Sequence, residues 1–193
     1  IVFGDWSSDV CSSDLLANHP FDGLSVPILL DRQWLTNQGL MEAEYALQDL
    51  VMTKLPIPWS QVSSAVADLK RVNWAHVTDN FLWYRVSDSS ASGDFDTRYA
   101  VDPASSNDWA IVNTNAALCA RVCREAGLKG FMMDTEQYTK YASGQEYPFG
   151  RGTATTWRER GRQWIEAIQS EFPGITIIFF FSWGPESETG GCA

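Results

Sequence analysis

Two rhythms of apolar residues alternate along this chain. Ser60 to Val72 carries Val62, Ala65, Val66 and Leu69 at helical spacing, with Ser60 placed to cap it. Asn107 or Asp108 opens a longer helix that runs to Ala126. Its buried stripe is Trp109, Val112, Ala116, Cys119, Ala120 and Cys123. A third helix spans Trp157 to Phe172, opened by the capping box Thr156-x-x-Glu159, faced by Trp157, Trp164, Ile165 and Ile168, and stopped by Pro173-Gly174. Between these lie short runs of strand type: Phe21 to Leu30, weakened by Pro27; Phe81 to Val86; Phe131 to Met133; and Ile175 to Phe181. Asp31 to Leu55 has no clear period, apart from a short helix around Met41 to Val51, and Pro56-Ile57-Pro58 ends it.

The order is strand, helix, strand, helix, strand, helix, strand, the alternation of a parallel α/β sheet. Connections after strands are long (Ser87 to Ser106, Thr139 to Thr155), whereas turns before strands are short. That asymmetry marks the C-terminal ends of the strands as the functional face. Gly127 suits the left-handed stop of the long helix, and Gly127-Leu128-Lys129-Gly130 turns the chain into the strand that ends in Asp134 and Glu136. These two carboxylates are two residues apart, so on extended backbone they point the same way. They read either as a reactive pair or as a salt-bridged strand end.

Composition alters this picture at the N-terminus. Asp5-Trp6-Ser7-Ser8-Asp9-Val10-Cys11-Ser12-Ser13-Asp14-Leu15 coincides, over eleven consecutive residues, with one reading frame of a widely used sequencing-library adapter. Residues 1–15 are therefore expected to be an artefactual, adapter-derived segment, to be set aside from fold reasoning. With no initiator Met either, residues 16–193 are expected to be an incomplete (β/α)8 TIM barrel domain, about four parallel strands of the eight, rather than a small open sheet. Removing Asp5, Asp9 and Asp14 takes the formal net charge from −10 to −7, still acidic, which argues against nucleic acid as a partner. No apolar run reaches the roughly 20 residues of a membrane span. Cys119 and Cys123 share one helix face and are expected to pack as small apolar groups, since no CxxC or His-rich partner accompanies them. His19 and His76 are isolated, so no metal site is expected. The compartment is not legible.

Several motifs occur together in a familiar order. They are Pro20-Phe21-Asp22-Gly23, Thr78-Asp79-Asn80-Phe81-Leu82, Gly127-Leu128-Lys129-Gly130 leading to Asp134-x-Glu136-x-Tyr138, Tyr147-Pro148-Phe149, Arg158-x-Arg160-Gly161 and Glu171-Phe172-Pro173. As a set they resemble a family of bacterial proteins, many from environmental genomes, described as glycoside hydrolases on a (β/α)8 barrel. The resemblance covers residues 16–183. It implies that a further strand precedes the Pro-Phe-Asp-Gly motif. Asp134 and Glu136 would then end the fourth barrel strand, where barrel glycosidases carry the general acid/base. It also implies a second catalytic carboxylate on a later strand, absent from this chain.

Glycoside hydrolysis needs one carboxyl to protonate the leaving oxygen and another as nucleophile or base, ~5–5.5 Å apart for retention and ~6.5–9.5 Å for inversion. Two residues on one strand are about 7 Å apart at Cα, but opposed approach to a sugar is awkward from a single strand. Glu136 is the expected acid/base, with Asp134 tuning it or binding a sugar hydroxyl. Tyr138, on the same face, is a substrate-binding or structural tyrosine. Trp183, at the end of an apolar strand, is a stacking platform or a cap on the core. Asp31 follows the first strand and is a weaker substrate-binding candidate. Asn80 reads as structural, and Arg160 as a helix residue able to reach a loop carboxylate. The expected substrate is a carbohydrate, with no cofactor. Two other classes stay open: a glycan-binding barrel without catalysis, and a phosphodiesterase whose metal Asp134 and Glu136 would hold.

Overall fold

The computed structural model describes residues 20–40, 46–86, 99–136 and 148–180. A four-stranded sheet, all parallel, runs in the order β1 (Ser25–Val26), β2 (Phe81–Arg85), β3 (Gly130–Asp134), β4 (Thr176–Phe179). Between β1 and β2 lie α1 (Arg32–Asn37), α2 (Leu47–Leu50), a 3-10 turn (Trp59–Gln61) and α3 (Ser63–Leu69). Helix α4 (Ser106–Ala126) joins β2 to β3, and α5 (Ala154–Glu171) joins β3 to β4. Each strand pairs with the next in sequence. A doubly wound sheet reverses its strand order at a switch point. This one does not, so it is the mixed α/β arrangement of part of a (β/α) barrel.

Among the described residues, the helices pack against one side of the sheet. Leu82 and Tyr84 of β2 and Phe131 and Met133 of β3 are buried in one core with Val62 and Val66 of α3, Val112, Ala116 and Cys119 of α4, and Ile168 of α5. The alternate residues Phe81, Trp83 and Met132 stand outside that core and are half-buried. Period two thus separates a face covered by the described helices from one that those helices leave uncovered. Tyr84 shows what the covered face demands of a polar atom: its hydroxyl accepts from Trp164 Nε1 at 2.9 Å and donates to Met52 Sδ at 3.5 Å. Asn115 of α4 is fully buried and clasps the segment before α3, accepting from Ile57 N and donating to the Leu55 carbonyl.

The long helix ends as its glycine predicts. Gly127 is left-handed (φ 73°), and its amide and that of Leu128 both donate to the Cys123 carbonyl. Gly130 then brings β3 against β4 so closely that a Cβ there would lie 1.8 Å from the Thr176 carbonyl oxygen. Asn80 is structural, as expected: its Oδ1 accepts from Leu24 N and its Nδ2 donates to the Val77 carbonyl, tying β1 to the entry of β2. Cys119 and Cys123 are buried free thiols, and Cys123 Sγ donates to the Gly130 carbonyl.

The caps differ from expectation. Ser60 sits within the 3-10 turn, and α3 starts after Val62 without a side-chain cap. Ser105 caps α4, accepting from Asp108 N, so Asp108 is the partner of the cap rather than the cap. Thr153 caps α5, accepting from Thr156 N, while Glu159 pairs with Arg162. In each case a neighbouring hydroxyl or turn reached the free amides first. The fourth strand departs most. Its run is apolar throughout, yet Ile178, Phe179 and Phe180 are 41%, 49% and 47% exposed.

Candidate functional site at the C-terminal end of the sheet

Arg85 is the last residue of β2, and Asp134, its partner in the parallel register, is the last of β3. Register partners share a face. Arg85 and Asp134 therefore stand together in the phase of Trp83 and Met132, on the uncovered face, at the end where the strands finish. Both are buried, Asp134 to 6% exposure. A buried charge needs a partner, and here there are three charges in a row. Arg85 Nη1 donates to Asp49 Oδ1 at 2.6 Å, and Arg85 Nε faces Asp134 Oδ2 at 3.8 Å. The guanidinium also lies over the Trp83 ring, 4.7 Å from its centroid. Asp49 is held from its other oxygen, Oδ2 accepting from Ala46 N at 2.9 Å. The cluster thus links α2, β2 and β3 across the top of the sheet.

Asp134 has a second task. Its Oδ1 accepts from the backbone amide of Glu136 at 3.0 Å, a side-chain turn that fixes the chain as it leaves β3. Glu136 follows, half-buried, two residues beyond the strand. The two carboxylates are therefore not equivalent. Asp134 is engaged by a cation and a backbone donor, and Glu136 is placed by Asp134.

The other expected site residues are less close to this centre. Asp31 is exposed and caps α1, its Oδ1 accepting from Trp34 N at 2.7 Å; among the described residues nothing joins it to the cluster. Tyr138 and Trp183 lie outside the described residues, as do His19 and the parts of the two long loops at 87–98 and 137–147. Arg160 reaches a loop, but meets the Pro103 carbonyl at 2.8 Å and Gln163 rather than a carboxylate. Its guanidinium stands over Trp109, part of an aromatic stack with Trp157 and Phe149 beside the start of α5.

Arg85 and Asp49 escaped the sequence reading. Arg85 left a signal: it is the one charge in an apolar strand, in phase with Phe81 and Trp83, at the same strand position as Asp134. Asp49 left none, because α2 has a single turn and no period. Among the described residues no group of three or more His, Cys, Asp or Glu has the geometry to hold a metal ion, and no helix is long and apolar enough to cross a membrane. Compared with known proteins, the chain matches no family model, no curated protein and no solved structure.

Proposed function

We propose that this chain carries the acid/base wall of a barrel glycoside hydrolase, with Glu136 as the general acid/base and a carbohydrate as substrate. The observation that supports the reading is the division of labour at the end of β3. Asp134 is tied to Arg85 and to the Glu136 amide, so Glu136 is set at the strand end by a group that itself cannot move freely. General acid catalysis requires such placement, because the proton must reach one oxygen at hydrogen-bond distance.

In this mechanism the Glu136 carboxyl gives its proton to the glycosidic oxygen as the bond from C1 to that oxygen breaks, and the leaving group departs as an alcohol. A second carboxylate, from another strand end, attacks C1 or removes a proton from the attacking water. Asp134 is a positioning residue, and the Arg85 charge offsets those of the two aspartates that would otherwise crowd the acid. The reaction needs no cofactor.

The test is turnover of aryl glycosides by a protein that carries this segment in a closed barrel. Glu136→Gln is expected to lower the rate by at least ~10²-fold, and more for poor leaving groups than for good ones, since only the former need the proton. A variant at the unsubstituted rate, or a loss independent of the leaving group, overturns the assignment.

A further inference from the structure

We infer that the two connections leaving β2 and β3 are locked to each other where they return to α4 and α5, so that a contact that loosens or tightens one return does the same to the other. The inference does not rest on the proposed reaction. The connections leave together: Val86 N, just past β2, donates to the Asp134 carbonyl at 3.0 Å, beside the Arg85–Asp134 pair. Their returns, residues 99–105 and 148–153, lead into α4 and α5.

The returns meet at Arg160 and Trp157, on the first two turns of α5. Arg160 is buried, and the partners of its guanidinium are a carbonyl, an amide and an indole. Nε donates to the Pro103 carbonyl of the first return at 2.8 Å, Nη1 donates to Gln163 Oε1 at 2.9 Å, and the group stands over the Trp109 ring of α4. A cation buried among such partners is costly, and an apolar side chain would fill the same space at lower cost. What the arginine adds is direction, a donor aimed at one backbone oxygen of the first return. Trp157 does the same for the second. Its Nε1 donates to the Arg151 carbonyl at 2.6 Å, and its ring packs edge-on with Phe149 and with Trp109, at 4.9 and 5.7 Å between centroids.

The two returns also touch directly. Gly152 is left-handed (φ 87°), and a Cβ there would lie 3.2 Å from both Pro103 Cγ and Trp157 Nε1. The first return is held from its other end as well: the Tyr99 hydroxyl donates to the Gln38 carbonyl at 2.6 Å, and Lys54 N donates to the Tyr99 carbonyl at 3.0 Å. Pro103 therefore cannot shift without giving up the Arg160 bond or pressing on Gly152. Gly152 cannot shift without moving the backbone that Trp157 holds. Coupling between two segments is reciprocal, so a disturbance on either side is felt on the other.

Hydrogen exchange of the full chain, read by mass spectrometry, tests this. The reporters are the bonded amides of Asp102, Ala104 and Ser105 for the first return and of Thr156 and Trp157 for the second, with the middle of α4 as reference. Arg160→Met keeps the stem and removes the bond to Pro103. It should speed exchange at both sets of reporters at least ~10-fold, with α4 unchanged. Gly152→Ala, a change within the second return, should speed exchange at the first return too. Phe149→Ala, at a ring already 39% exposed, should do the same more weakly, by ~3-fold. A Gly152→Ala or Phe149→Ala chain in which Asp102, Ala104 and Ser105 exchange at the unsubstituted rate overturns the inference. So does an Arg160→Met chain that speeds one set alone, or that speeds α4 equally, since the last marks loss of the whole fold rather than release of a joint.

Discussion

On one side of the sheet Leu82, Tyr84 and Phe131 have no exposure at all; on the other, one residue away along the same strands, Phe81, Trp83 and Met132 are only half-buried. The composition of the two faces is similar, and the difference lies in what covers them. Helices α4 and α5 cross back over one face because a parallel connection must return the chain to the start of the next strand, and it returns on the same side each time. The other face receives none of the described helices. The described helices leave that face to Phe81, Trp83 and Met132, with Arg85 and Asp134 where the strands finish. The packed core and the charged cluster are thus separated by a one-residue shift in phase: the even phase of β2 holds the fold, and the odd phase leads to Arg85.

The contrast can be broken most strongly from the covered face. Phe131→Ala removes a fully buried ring from the packing around Tyr84, 5.0 Å away between centroids, and should cost about 3–5 kcal/mol in denaturant unfolding. Ile178→Ala, beside Met132 on the other face and 41% exposed, should cost no more than about 1 kcal/mol. Equal losses would mean that the two regions are packed alike.

Arg85→Met probes the charged end of the uncovered face. It keeps the apolar stem but takes the cation from buried Asp134 and half-buried Asp49, and should destabilise by about 3 kcal/mol, since breaking a buried pair costs more than the pair is worth. Double substitution of Arg85→Met with Asp134→Asn should recover part of that loss. No recovery would show that Asp49 alone depends on the arginine.

The smallest effect is the most specific to the covered side. Burial pushes the thiols of Cys119 and Cys123 well above their ordinary range, and for Cys119 the neighbouring Cys123 adds to the rise. The unfolded chain releases these protons above pH ~8.5, and the folded chain keeps them. The unfolded state then binds fewer protons, so stability is intact below that pH and falls as pH rises beyond it, by at most about 1.4 kcal/mol per unit for each thiol. Replacing both by alanine should flatten the alkaline limb of a stability–pH curve. An unchanged slope would place the thiols in contact with solvent.

How far could this be read from the sequence? The alternation of strand and helix gave the parallel sheet, and the i, i+3, i+4 stripe of α4 gave its buried face, because both patterns repeat over several turns. Gly127 was legible because only one conformation explains a glycine there. The caps were not, since Ser60, Ser105, Thr153 and Thr156 lie among other hydroxyls, and one-residue differences decide which of them meets a free amide. The centre of the site was half legible. Asp134 and Glu136 stood out by spacing, but their inequality depends on Arg85, and that contact is set by the register between strands 49 residues apart in the chain. The exposure of β4 was not legible for a related reason. Composition states what a strand could bury, and the neighbours decide whether it does.

Because every strand pairs with the one just before it in sequence, each strand–helix unit touches chiefly the units on either side. Such an architecture is modular in the sense of a ladder whose rungs can be added singly. A unit added in the same order would leave every pairing among the four described strands in place. Duplication or fusion of whole units is then a change of length rather than of wiring, and the same segment can be carried into larger proteins with its own core unaltered.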